Sequence, residues 1–381
     1  MEELSSKSQM AKIRGFEKGF MATHLINIGA KLGLFEALNE AKEGVTVPDL
    51  ASKLDLHEPY LKIWCQTAYH FRILDCDDQG RFMLQPFLDE ILGDKADFKN
   101  YLANIAADVD IVGTGMVDAS EYFRTGKIIE SYHTHEISKA VYETTKNVPL
   151  AFLFMIFPKN EHLKQLLEQG TKFLDIGCGN GNLIILLAQS FTNSTFVGVG
   201  PDAHGIEAAK AAISQLALEE RVSVEHMGAE DLPYKDEFDM VSMVVTLHEI
   251  FPEVREKAVE KAYQVLKTGG YLLILDFPYP SKLEDFRDPI YDFGIMDQFY
   301  EMCIGTVHLN TQKQEEIPKP VLKTFNEYPS VKACSNLLRP QSDGEFNHSR
   351  ALGRAWIGLG FGYSLLRDLE TINRLNYQSI S

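Results

Sequence analysis

The stretch FLDIGCGNGN, residues 173 to 182, runs an apolar strand into glycines at alternate positions, Gly177, Gly179 and Gly181. Glycine in such a turn lets the backbone approach a ligand where a side chain would collide. A dinucleotide fingerprint needs its third glycine five residues after the first, and that position is Asn182; the G-x-x-x-x-G-K-[ST] phosphate loop is absent too. Asp175, two residues before the first glycine, would repel a pyrophosphate and attract an ammonium group. The turn therefore favours a cationic, phosphate-free nucleoside over NAD, FAD or ATP. A second group has acid–base character. His248 and Glu249 follow an apolar strand in VVTLHEIF, and Asp276 lies at the end of YLLILDF. An imidazole with an ordinary pKa near 6.5 suits proton abstraction at neutral pH, and a neighbouring carboxylate can orient it. The competing reading is that His248 caps a helix beginning near Pro252.

These residues need a scaffold that gathers them. From 171 onward, strands and helices alternate: KFLDIG, NLIILLAQSF, STFVGV, AHGIEAAKAAISQLAL, RVSVEHM, EFDMVSMVVTL, then a helix through EVREKAVEKAYQVLK that ends at Gly269-Gly270, and YLLILDF. That rhythm predicts an α/β doubly wound parallel sheet, in which ligands bind beyond the carboxyl ends of the strands. All the candidate residues stand just after predicted strands.

Four motifs in order, LDIGCGNGN, GAEDLPYKDEFDMV, VTLHEIF and VLKTGGYLLILDF, resemble those of class I S-adenosylmethionine-dependent methyltransferases, over about residues 171–278. The front end extends the resemblance to small-molecule O-methyltransferases with an N-terminal winged-helix dimerisation domain. The resemblance implies a Rossmann-like domain with a mostly parallel seven-stranded sheet and S-adenosyl-L-methionine as cofactor. Gly177, Gly179 and Gly181 would admit its methionyl and ribose parts, and Asp175 would orient its amino group. Gly200 stands where the family carries an acid for the ribose hydroxyls; Asp202 either reaches the ribose instead or caps the next helix. Gly228 and Ala229 stand at the family's adenine-binding position, where Glu230 or Asp231 would assist the Ala229 backbone. Two charge-assisted hydrogen bonds lost at about 1.5–3 kcal/mol each would leave cofactor binding weaker than usual but intact. In plant-type members a His-Asp-Trp histidine deprotonates the acceptor hydroxyl; His248, Glu249 and Ile250 occupy those places.

The first part of the chain reads as helical. A helix over 20–40 is followed by TVPDLASKLDL with Thr46 as N-cap and Pro48 in the first turn, then HEPYLKIWCQTAYHFRI, then a hairpin in ILDCDDQGRFML. The pattern is that of a winged helix-turn-helix. Between Thr46 and His70 the basic residues are only Lys53 and Lys62, against Asp49, Asp55 and Glu58, and the second helix offers Tyr60, Trp64 and Tyr69, which suits a protein partner over DNA. Three regions are expected: a winged-helix dimerisation domain over 1–95, a helical connector and substrate-pocket wall over 96–165, and the methyltransferase domain over 166–381 with an atypical tail. Tyr291, Ile295, Phe299 and Met302 share one helical face and are expected in the core, with pocket lining as the second reading.

Bulk properties narrow the classes. The net charge is −17, with 54 acidic against 37 basic residues, which disfavours nucleic acid and anionic membranes. Five cysteines without a CxxC pair suggest reduced thiols in a cytoplasmic protein, and no secretory signal or membrane span is expected. His308 and His248 are too weak a pair to argue a metal, and none is expected. The function expected is methylation of a small, aromatic or apolar acceptor by a homodimer, at oxygen, with His248 as general base. The alternative is a ligand-responsive winged-helix regulator on an inactive methyltransferase fold.

Overall fold

The computed structural model describes residues 4–95, 98–100, 103, 109, 113, 119–126, 135–146, 148–150, 152–276, 283–303, 332–333 and 357–358. The chain divides into two compact units, residues 1–114 with 143–147, and residues 115–142 with 148–381.

The first unit begins with α1 (Ser6–Lys31) and α2 (Leu34–Glu40). The pattern over 20–40 predicts one helix, but Gly33 adopts φ 67° and breaks it, a left-handed turn that glycine reaches without steric cost. Thr46 caps α3 (Val47–Leu54), accepting the Asp49 N–H at 3.3 Å as the sequence suggested. Then come α4 (Glu58–His70) and an antiparallel hairpin of β1 (Leu74–Cys76) and β2 (Phe82–Leu84). Leu34, Phe35, Leu50, Leu61, Trp64 and Leu74 form its core. The buried Trp64 indole donates to the Leu25 carbonyl at 3.0 Å, so its one polar atom is satisfied.

The second unit holds α5 (Ala119–Thr125), the start of α6 (His135–Thr145), and the apolar run near 150. That run packs Phe152, Ile156 and Phe157 into the core on two short helical turns. The sheet unit follows: α7 (Glu161–Gln169), β3 (Lys172–Ile176), α8 (Asn182–Ser190), β4 (Thr195–Gly200), α9 (Ala203–Gln215), β5 (Val222–His226), β6 (Phe238–Val244), α10 (Pro252–Gln264), β7 (Leu266–Asp276) and α11 (Asp292–Cys303). Two-residue strands β8 (Lys332–Ala333) and β9 (Ile357–Gly358) both join β7. The seven strands run in the order β5-β4-β3-β6-β7-β8, with β9 also on β7, and every pair is parallel.

Helices cover both faces, so the central strands are apolar on both sides. Phe173 packs into one core with Phe196 and Leu183, whereas Leu174 and Ile176 enter the other with Val241 and Ala258. The chain winds outward from β3 through β4 to β5, then crosses back to β6. The switch point therefore lies between β3 and β6, and their carboxyl ends open the binding crevice.

One predicted boundary differs. Helix α10 ends at Gln264, before the glycine pair. The Val265 carbonyl accepts the Glu237 and Phe238 N–H groups, each at 2.9 Å, and so draws the chain into the sheet early. A register shift between Phe238 and Met240 then absorbs the extra residues, with Gly269 at φ 83°.

Candidate active site

The glycine turn leaves β3 with φ 79° at Gly177, 50° at Gly179 and 74° at Gly181. The N–H groups of Gly177 and Cys178 both donate to the Val199 carbonyl, at 2.8 and 3.0 Å, which folds the loop over the end of β4. A Cβ on Gly179 would meet nothing within 4 Å, and one on Gly200 would make only ordinary contacts from 3.7 Å. The backbone here borders open space, as a loop that cradles a ligand must. Asp175 is 3 % exposed and accepts the Ser242 hydroxyl at 2.6 Å. Burial raises its carboxyl to about 7 against the opposing Ser242 bond. A buried acid that resists ionisation is favourably answered by a cation.

Asp202 caps α9, accepting the His204 N–H at 3.0 Å, and also accepts the Ser138 hydroxyl of α6 at 2.6 Å. Of its two sequence readings, the structure shows the cap. Gly228 precedes the turn of Ala229–Asp231, and the Glu230 carboxylate folds back within 2.6 Å of where a Cβ on Gly228 would lie. Asp231 pairs with Lys257 at 3.5 Å.

The second group is gathered beside β6. Val245 takes φ 53°, a left-handed conformation strained for a β-branched residue, while its N–H donates to the Leu275 carbonyl at 2.7 Å. This bend carries Thr246 and the turn of Leu247–Glu249. His248 is 2 % exposed. Its backbone N–H donates to Asp276 Oδ2 at 3.1 Å, and its Nδ1 lies 2.6 Å from Asp276 Oδ1, which assigns the proton to Nδ1 and aims Nε2 away from β7. The histidine does not cap α10, whose N-cap is Phe251 without a side-chain bond. Nε2 lies 3.9 Å from Glu249 Oε1 and 4.0 Å from Asp297 Oδ2. Burial alone would lower the imidazole from its ordinary 6.5, but Asp276, Glu249 and Asp297 together outweigh it and raise it well above. Arg255, 1 % exposed, donates from Nη2 to the carbonyls of His248 at 3.1 Å and Ile250 at 2.6 Å and so clamps the turn.

Asp297, Arg255, Ser242, Thr246 and Ser138 were not singled out in the sequence. Asp297 sits on α11, whose expected core stripe is only partly buried: Phe299 is 52 % exposed, while Tyr291, Ile295 and Met302 are half-buried. No group of three or more His, Cys, Asp or Glu residues is disposed to hold a metal among the described residues, and no helix there is long and apolar enough to cross a membrane. His308, Cys334 and most of the tail after 315 lie outside the described residues.

Residues 173–270 match a family described as "Methyltransferase domain". An uncharacterized methyltransferase of Synechocystis sp. is 34% identical over 30% of this chain and 51% of its own length. The L-tyrosine C(3)-methyltransferase of Streptomyces lavendulae is 25% identical over 68% of this chain and 72% of its own. The chain thus spans about half the length of the first of these relatives. Among solved structures, "PigF with SAH" superposes with a TM-score of 0.62 at 17% identity, covering 87% of this chain and 95% of that one. An O-methyltransferase from neocarzinostatin biosynthesis, solved with S-adenosyl-L-homocysteine and 1,4-dihydroxy-2-naphthoic acid, superposes at 0.53 with 14% identity, over 80% of this chain and 90% of that one. The sheet unit is a class I methyltransferase fold, as the motifs implied.

Proposed function

We propose that the protein is an S-adenosylmethionine-dependent methyltransferase that methylates a hydroxyl of a small molecule, with His248 as the general base. The observation that carries this reading is the His248–Asp276 pair, held at 2.6 Å at the carboxyl ends of β6 and β7, with Thr246, two residues before His248, filling the space beside Gly177. Gly179 and Gly200 provide the open backbone for the cofactor, Gly177 and Gly181 let the turn pack closely against Thr246 and Ala209, Asp175 is the ammonium partner, and the Gly228–Glu230 turn is the adenine side. When bound, the cofactor would supply an activated methyl group to the acceptor oxygen, and His248 Nε2 would take the proton that the hydroxyl gives up.

Asp276 keeps that proton chemistry on one nitrogen by occupying the other. The three carboxylates hold the ligand-free ring protonated, so the base is freed when a cationic cofactor enters and offsets their field. Deprotonating a phenol also activates its ring carbons, so the same arrangement would serve transfer to carbon as well as to oxygen. Isothermal titration with S-adenosylmethionine, followed by mass spectrometry of small phenol and enol acceptors, tests the reading. No heat at millimolar cofactor would end it, and the position of the added methyl separates oxygen from carbon.

For the first unit we read a winged-helix module that joins two copies. Met10, Ile13, Phe16 and Phe20 of α1 are each at least 60 % exposed, and α4 displays Tyr60, Ile63 and Tyr69 where a DNA reader would carry cations. A gel-shift on genomic fragments checks the regulator alternative, and light scattering checks the dimer.

A further inference from the structure

His248 gains a proton in each turnover, yet its side chain is 3 % exposed and that of Asp276 1 %. The proton must still reach water. Among the described residues, three carboxylates face the ring: Asp276 from the end of β7, Glu249 from the same turn, and Asp297 from α11. The nearby cation, Arg255 on α10, is turned onto backbone carbonyls. Asp276 orients Nδ1 and is sealed from solvent. On the Nε2 side, Glu249 at 3.9 Å has 41 % of its side chain exposed, against 18 % for Asp297 at 4.0 Å.

We infer that Glu249 is the proton exit of this site, taking the proton from His248 Nε2 and passing it to solvent. The inference rests on the function proposed above. In the step, the Nε2–H bond breaks and its electron pair stays on the ring, while a Glu249 oxygen forms an O–H bond. Bulk water then removes that proton and restores the carboxylate. One bridging water spans a gap of this size. Burial, with Asp297 and Asp276, raises Glu249 to about 7 against the opposing charge of His248, although its 41 % exposed side chain softens the burial part. An acid poised near neutrality accepts and releases a proton with comparable ease.

Solvent exchange of the His248 Nε2–H tests this without an acceptor. The full chain, labelled with ¹⁵N-histidine, is followed by NMR with and without S-adenosylhomocysteine, the signal being assigned by its loss in His248→Asn. In the wild type the proton is expected to exchange rapidly and independently of buffer concentration. In Glu249→Gln, exchange slows at least about tenfold and accelerates with added phosphate buffer, while Glu249→Asp and Asp297→Asn stay fast. Unchanged exchange in Glu249→Gln, or equal slowing in Asp297→Asn, overturns the inference. Failure to bind S-adenosylhomocysteine would instead count against the methyltransferase reading, since the ligand-free exchange is measured independently.

Discussion

A Cβ placed on Gly177 would lie 2.3 Å from Oγ1 of Thr246, so the glycine turn and the turn that carries His248 approach through a position where only hydrogen fits. Gly177→Ala therefore meets two costs. Its φ of 79° strains any L side chain by about 1–2 kcal/mol, and the overpacking adds about 1–3. The variant is expected to melt several degrees lower and to lose cofactor binding. Adding Thr246→Gly should recover the packing part alone, since the Thr246 Cβ itself would lie 2.9 Å away, leaving the backbone part in the measured Tm.

Asp175 sets a pH dependence. Its folded pKa of about 7 lies above its ordinary 3.8, so the native state binds the proton more tightly than the unfolded chain. Its share of ligand-free stability is full below about 3.8 and is lost as pH rises towards about 7. Asp175→Asn should abolish that slope and, without ligand, melt higher than the wild type above neutrality. Cofactor affinity moves oppositely: the wild type should bind more weakly as pH falls through about 7, and the variant should bind weakly throughout.

The raised pKa of His248 predicts that cofactor charge and ring charge exchange. Its contribution to stability is present below the ordinary 6.5 and is lost as pH rises through the folded value. At neutral pH, calorimetry in buffers of different ionisation heat should show S-adenosylmethionine releasing about one more proton than S-adenosylhomocysteine. Both ligands carry the ammonium that ionises Asp175, so the difference isolates the ring. His248→Asn should erase it. His248→Ala should lower turnover by about 10²–10⁴-fold; an unchanged rate would make the residue structural.

Gly200 is a site where affinity can be raised. A Cβ there meets Cys178 N at 3.7 Å and no closer atom, so an aspartate fits without backbone strain. Gly200→Asp should supply the missing carboxylate for the ribose and tighten binding by about 1.5–3 kcal/mol, a ten- to hundredfold fall in Kd by titration. No gain would mean that the ribose lies elsewhere.

The sheet and the glycine turn were legible because both are local. Strand–helix alternation and the spacing of Gly177, Gly179 and Gly181 sit within short windows, and the structure follows them. The His248–Asp276 pair was readable as two strand ends, since adjacent parallel strands place such residues side by side. Asp297 was not, because on a helix an acid beside apolar neighbours looks like a solvated face, and only tertiary packing turns it towards the ring. Arg255 was hidden similarly, as a charge within an otherwise polar helix. Gly33 and the bulge near Gly269 show the converse: apolar periodicity ran past points where one glycine or one strand pairing redirected the chain.

Val245 holds a branched side chain in a backbone state that glycine would enter freely and as freely leave. The Leu275 bond keeps it there, and the neighbouring conformations are closed to it by its own methyl groups. The bend thus gives up some stability for stiffness, and the imidazole three residues later inherits that rigidity: it is already aimed, with little to rearrange for the proton transfer proposed for it.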